Sequence, residues 1–499
     1  MLHHPNPHRT FTPTVVTPQT MDRTQAILIT LVLYKVVLLA LGFVASKRTK
    51  DGADFFLGGR KLGATVAALS ASASSSSVWT LLGVSGAAYS MGLSAFWLFP
   101  ACVGGFVINW FLLGPPLRRL TAEDNSLTVS EFLAGPKGTP LRNLVGKLGS
   151  FIIVLSLATY VATQFQGAGK TFSELFGLDK VESILIGATI VVIYTMMGGF
   201  WAVSLTDTLQ GFLMMLTAII LPVASLMAVG GPIELWNAMQ GLDGGAFASF
   251  FSKGSMAASL GFTLGLLGIG LGYPGQPHVV NRFMAIKDEK AMAQGRVIAI
   301  LWGVIVYAGM LIVGWCGRIL FPGLPDKEVV FITTTTELFP PIVAGVMLAA
   351  VVSAIMSTAD SQLLVLVSSL THDLDLDGDT DTNLVKRSRL VILVVSACSV
   401  LTAIYGPSEI FKFVLFAWTG MGAAFGPLLL VSVLRGRVAP KNTVSAMLVG
   451  FVLSVVAYSV PALKGGAIER VVPWVIAFAI AWAGAKPRSS EAAQTSETP

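Results

Sequence analysis

The chain has 499 residues, of which 54% are hydrophobic and only 12% charged, and a formal net charge of +6. That much apolar surface exceeds what a soluble core can use and leaves a polytopic membrane protein as the reading. The positive balance does not signal nucleic-acid binding, because the basic residues cluster in short loops between apolar stretches and no nucleic-acid motif accompanies them. Cys102, Cys316 and Cys398 lie far apart in apolar segments, so they supply neither a disulfide framework nor metal-ligand spacing and are expected to be buried core residues.

Residues 1–20 are rich in His, Pro and Thr and lack an apolar run. They are expected to be a disordered tail and not a cleaved signal, with either Met1 or Met21 as the start. A single transmembrane domain is expected over residues 21–485, its core over roughly 64–434, with a disordered cytoplasmic tail at 486–499. Apolar stretches long enough to cross the hydrocarbon layer number about thirteen. In order they are Gln25–Ala45, Ala64–Met91, Ser94–Leu113, Gly149–Gly167, Val181–Met197, Asp207–Val229, Met256–Tyr273, Val297–Leu320, Pro341–Leu370, Ser388–Tyr405, Ile410–Leu434, Asn442–Val460 and Arg470–Ala485.

The loops between them alternate in charge. One set carries Lys47, Arg48, Arg60 and Lys61, then Arg118, Arg119 and Arg142, then Arg282, Lys287 and Arg296, then Lys386, Arg387 and Arg389, then Arg435 and Arg437. Basic loops face the cytoplasm, so the amino terminus is expected outside and the carboxyl terminus inside a cell membrane.

Two spans are interrupted. The second reads LSASASSSSVWTLLGVSGAAYSMG over Leu69–Gly92, and the seventh ends GLLGIGLGYPGQPH over Gly265–His278. Interruptions free backbone carbonyls and amides, which membrane depth tolerates where they line a cavity or bind something. The two lie five spans apart, as in transporters whose site sits at a repeat interface. Close packing of small residues is the competing explanation for the serines and glycines.

The ninth span is equally unusual. Ser353, Ser357, Asp360 and Ser361 fall at i, i+4, i+7 and i+8 on one face, with Thr358 at its edge and Ala350 and Ala354 keeping it narrow. A mid-span carboxylate is costly against lipid, so Asp360 is expected to face protein, water or an ion. An alkali cation needs several oxygen ligands in place of its water, and carbonyls of a broken helix with hydroxyls of a facing one would supply them. The run DLDLDGDTD at Asp373–Asp381 opens like a calcium loop, but its twelfth position is Leu384 and not Glu, so a solvated acidic loop is expected there.

The segments FFLGGRKLGATVAALSASASSSSVW (Phe55–Trp79), YTMMGGFWAVSLTDTLQG (Tyr194–Gly211), GLGYPGQPHVVNRFMA (Gly270–Ala285) and SAIMSTADSQLLVLVSSLTHDL (Ser353–Leu374) resemble the signature stretches of the sodium:solute symporter family, nearest to its sodium/proline symporters. The resemblance implies an all-α LeuT-type five-plus-five inverted-repeat core, preceded by one span and followed by two. It implies a sodium ion held by the carbonyls of Ala73, Ser76 and Ala354 and the hydroxyls of Ser357 and Thr358. Asp207 matches a carboxylate linked to sodium coupling, although its spacing to Gln210 also fits a capping box opening the sixth span. Tyr160 and Tyr273 match tyrosines near the substrate, and Gln276 and Pro277 complete the same turn.

Three departures stand out. Ser75 occupies the position of an Asp in the proline symporters, which leaves Asp360 as a carboxylate that could supply the missing charge, Ser76 occupies that of a Met, and Ile269 replaces a substrate-facing Trp, which is expected to widen or depolarise the pocket. The function implied is sodium-driven uptake of a small solute by alternating access. Proline is the leading candidate; proton coupling, and another amino acid or small carboxylate, remain alternatives. A small-molecule substrate and membrane lipid are the partners expected, with no obligate protein partner. The convergent acid, base, nucleophile or metal groups of an enzyme are not found.

Overall fold

The computed structural model describes residues 22–46, 57–196, 199–251, 255–376 and 384–486. Among these residues no strand is present, and eleven stretches are long and apolar enough to cross a membrane. One of them, Trp79–Glu123, runs for 45 residues and holds both the end of the second span and the third. The fifth span is the 16-residue helix Lys180–Thr195. The expected order of spans is therefore recovered, with longer helices than the apolar runs alone suggested: Arg142–Phe176 for the fourth and Glu289–Leu320 for the eighth.

Both interruptions are real. The second span stops at Ser75, turns at Ser76 (φ −113°, ψ 76°) and resumes at Val78. The seventh passes from helix Met256–Gly268 through a 3₁₀ segment, Ile269–Gly275, turns at Gln276 (φ −100°, ψ 96°) and resumes as helix Pro277–Ala285. Similar dihedrals at breaks five spans apart fit two structurally related halves. Pro277 suits the first helical position, where the amide it lacks would have no partner.

Burial separates core from periphery. In the most apolar stretch of the ninth helix, Pro341–Thr371, 83% of residues are buried, and in the eleventh, Ile410–Leu434, 94%, against 22% for the first helix, Arg23–Ser46. The first helix turns Leu33, Val36, Val37 and Val44 outward, leaving its inner face to pack on the ninth and the sixth, Phe200–Val229.

Four expectations are corrected. The sixth helix begins at Phe200, so Asp207 lies two turns inside it and is no cap; Gly199, and not the SLTDT motif, caps the start. Arg282 is not a loop charge but is 1% exposed within the short seventh-span helix, and Arg142 is also buried. Cys398 is exposed, unlike Cys102 and Cys316, because its helix presents that face outward. Asp373 is buried under Thr128, whose hydroxyl donates to it at 2.6 Å, so the acidic run starts inside the protein; residues 377–383 lie outside the described residues.

Candidate functional site

The break at Ser76 leaves the last carbonyls of Ala64–Ser75 without helical donors. The ninth helix meets them with hydroxyls. Ser357 Oγ lies 3.2 Å from the Ala73 carbonyl oxygen and 3.5 Å from that of Ala354, and Thr358 Oγ1 lies 3.4 Å from the Ala73 oxygen and 3.2 Å from that of Ser74. A hard cation with oxygen ligands at about 2.4 Å has ligands at right angles about 3.4 Å apart. The cluster matches that spacing, is wholly buried and contains no formal charge of its own. Of the residues expected here, Ala73, Ala354, Ser357 and Thr358 converge, and Ser74 joins them. Ser76 forms the turn itself, and its hydroxyl approaches that of Tyr307 at 3.4 Å. Ser75 turns its hydroxyl back to the Ser72 carbonyl at 3.0 Å and contributes nothing to the cluster.

The far side of the break presents amides. Val78 N–H donates to Gln164 Oε1 at 3.3 Å, Trp79 N–H to Ser77 Oγ at 3.1 Å, and Tyr160 O–H to the same Ser77 Oγ at 3.1 Å. A helix start with amides at membrane depth favours an anionic group. Aromatic walls rise around it. Trp418 of the eleventh helix stands edge-on to Tyr273 at 4.8 Å and to Tyr160 at 6.4 Å, and its indole N–H donates to the Ile269 carbonyl at 3.0 Å. The indole that meets the Ile269 backbone thus arrives from another helix. Tyr273 and Tyr307 share a hydroxyl hydrogen bond of 2.7 Å. Gln276 donates to the Gly272 and Trp418 carbonyls, which anchors the break, and Pro277 opens the helix below it.

Beneath the oxygen cluster is a charged network. Asp207 Oδ2 accepts from Ser70 Oγ at 2.7 Å, from Ser74 Oγ at 3.2 Å and from Arg282 Nη2 at 3.1 Å. Arg282 also donates to Ser70 Oγ at 3.1 Å and Ser361 Oγ at 2.5 Å. Asp360 Oδ1 accepts from Ser361 Oγ at 3.3 Å. Asp207 and Asp360 therefore stand on opposite helices, the Arg282 guanidinium bonded directly to Asp207 and to Asp360 only through Ser361.

The two ends of the site differ among the described residues. A vestibule of about 1220 Å³ opens at the end carrying Lys170, Glu328, Phe411, Tyr458 and Arg470. Phe411 of its wall stacks on Trp79 at 5.5 Å, which joins the vestibule to the second-span break. At the other end Arg60 donates to the Thr121 and Ser126 carbonyls at 2.8 and 2.7 Å and to that of Met284 at 2.9 Å, and only a void of about 10 Å³ remains beside Arg282 and Ser361.

Residues 55–450 match the model of the sodium:solute symporter family. The chain belongs to that family. It is 34% identical over 464 residues to the osmoregulated proline transporter OpuE of Bacillus subtilis, covering 91% of this chain and 93% of that one. It is 36% identical to the high-affinity proline transporter PutP of the same organism, over 83% and 88% of the two chains. It is 33% identical to the sodium/proline symporter of Escherichia coli, over 85% and 86%. Among solved structures it is similar to a Na+-coupled sialic acid symporter in a substrate-bound, outward-open state, with a TM-score of 0.75, 19% identity and coverage of 93% of this chain and 100% of that one. A nucleobase-cation-symport-1 family transporter in a closed conformation gives a TM-score of 0.56 at 13% identity, over 89% and 96%. The LeuT-type fold expected from the motifs is therefore the fold of this symporter, which is a multi-pass membrane transporter and not an enzyme.

Arg282, Trp418, Gln164 and Ser77 escaped the sequence reading. A break in a helix was the available signal for Ser77, since its first amides need an acceptor nearby. Nothing in one sequence distinguishes Trp418 from any packed aromatic.

Proposed function

We propose that this symporter drives uptake of proline, or a closely similar amino acid, with sodium entering from the side on which the vestibule opens. That side is the extracellular one if the basic loops face the cytoplasm, which puts the amino terminus outside. The observation that carries the reading is the neutral, buried oxygen cluster between the second-span break and Ser357–Thr358, spaced for a dehydrated cation. Ala73, Ala354, Ser357 and Thr358 are assigned to the ion, Ser74 joins them, and Ser76 shapes the turn. The helix start after the break is assigned to the solute carboxylate, which would take the Val78 and Trp79 amides from the Gln164 and Ser77 side chains that hold them here. Tyr160, Tyr273, Trp418 and the Ile269 backbone wall the aliphatic ring, Gln276 and Pro277 holding the turn. The curated relatives support the choice of solute.

Sodium and solute bound on one side of the breaks stabilise closure over them, and rocking then exposes the other side through the region now sealed by Arg60 and Arg282. Labelled proline uptake into proteoliposomes with an inward sodium gradient, against equimolar potassium, tests it. Gradient-dependent uptake that is lost when Ser357 and Thr358 are both changed to Ala is expected. Equal uptake in both salts refutes sodium drive; sodium-driven uptake of another solute in preference to proline refutes the substrate assignment.

A further inference from the structure

The first helix lies outside the two five-span halves, yet it carries a lysine at mid-span. Lys35 sits on the inner face of Arg23–Ser46, beside Tyr34. Tyr34 shares a hydrogen bond with Ser353 Oγ, and the Lys35 ammonium donates to Met356 Sδ. Ser353, Met356 and Asp360 occupy i, i+3 and i+7 of the ninth helix, one face, so the ammonium rests a single turn from Asp360, the carboxylate whose field acts on it. Asp360 is wholly buried, and its Oδ2 accepts no hydrogen bond among the described residues. An ammonium on a four-carbon stem is the group that can reach such an oxygen.

With all four groups ionised, the two carboxylates of this region, Asp207 and Asp360, are matched by two cations, Arg282 and Lys35. Asp207 is bonded to Arg282 at 3.1 Å, and the Lys35 ammonium rests on Met356, one turn from Asp360, without a direct ion pair to it among the described residues. With Lys35 counted, the space below the oxygen cluster is neutral; without it, one negative charge is left over near the sodium position.

We propose that Lys35 is the tethered counter-charge of Asp360, so that Asp360 is balanced by the protein and is not a direct ligand of the transported cation, and the first helix sets the sodium affinity of a core it does not belong to. This rests on the sodium-coupled reading above. Removal of one buried charge near the ion position is expected to shift its binding constant by about tenfold.

The experiment measures the sodium concentration for half-maximal solute uptake in proteoliposomes, for wild type, Lys35→Gln, Asp360→Asn, the pair combined, and Lys35→Arg. Lys35→Gln is expected to lower the half-saturating sodium about tenfold, Asp360→Asn to raise it by a similar factor, and the combination to return it to within about threefold of wild type. Lys35→Arg keeps the charge and is expected to stay near wild type. Loss of a merely structural contact would not move the two single variants in opposite directions. If the double variant is as weak as Asp360→Asn alone, Asp360 is a ligand and the proposal is overturned. It is also overturned if Lys35→Gln matches a sodium-dependent wild type, or if Lys35→Arg behaves as Lys35→Gln. Where Lys35→Gln cannot be recovered from the membrane, recovery of the double variant with near-wild-type sodium dependence supports the pairing, and failure of the double variant with a shifted Lys35→Arg overturns it. A wild type indifferent to sodium overturns the coupling reading itself, and this inference with it.

Discussion

Replacing Arg282 by Met removes the guanidinium but keeps most of the side chain's length, and the structure fixes what that should cost. The side chain is 1% exposed and makes charged or hydroxyl contacts with Asp207, Ser70 and Ser361. Breaking a buried ion pair from one side costs about 3 to 5 kcal/mol, because the remaining charge stays desolvated without a partner. Here that charge is Asp207, 0% exposed and helped only by two serine hydroxyls. Changing Asp207 to Asn in the same protein removes the orphaned charge, so the double variant should recover about half of the loss or more. The assay is thermal inactivation of detergent-purified protein followed by size-exclusion monodispersity, run on wild type, Arg282→Met, Asp207→Asn and the pair. An Arg282→Met protein as stable as wild type, or a double variant no more stable than Arg282→Met, would show that the pair is not the tie described here.

Trp418→Phe keeps an aromatic wall but leaves the buried Ile269 carbonyl without its donor, a loss of about 1 to 3 kcal/mol; solute affinity measured by competition should fall while the sodium dependence of uptake stays in place. Gly105→Ala would place a methyl group inside the Tyr273 ring, so uptake should drop sharply at unchanged expression, and Gly104→Ala, with open space around it, serves as the control. The cluster at the end of the ninth helix should respond to pH. Burial opposes charge on His372, but the hydrogen bond to Glu131 at 3.2 Å and the negative charges of Asp373 and Glu131 outweigh it and raise the imidazole above its usual 6.5. Burial also lifts Asp373 from 3.8 to about 6. Both groups bind a proton more tightly when folded, so their support is full at low pH and is lost as pH rises, for Asp373 between about 4 and 6 and for His372 above 6.5. Melting temperature should therefore fall from pH 6 to pH 8 in wild type and fall less in His372→Gln; equal slopes would contradict this.

Much of the site was legible because its signals are local. A run of small and hydroxyl residues in an apolar span, and a Gly–Pro cluster five spans later, announce breaks through backbone chemistry alone, and hydroxyls at helical spacing announce a face. The charged network was less legible because it depends on tertiary placement. Arg282 precedes Lys287 and Lys290 in a run that looks like a basic loop, and only the short helix after the break carries it inward. Asp207 looked like a helix start because its spacing to Gln210 imitates a cap, while the helix had already begun at Phe200. The indole bonded to the Ile269 carbonyl, Trp418, comes from a helix far along the chain, and no local pattern marks that kind of contact between helices.

The matching turns at Ser76 and Gln276 have an energetic meaning. Two halves built to the same internal geometry can trade postures, each taking up the shape the other had, without making or losing a distinct class of contact. The resting and reversed forms of such a molecule lie close in free energy, and the modest binding energy of one ion and one small solute is then enough to tip the balance.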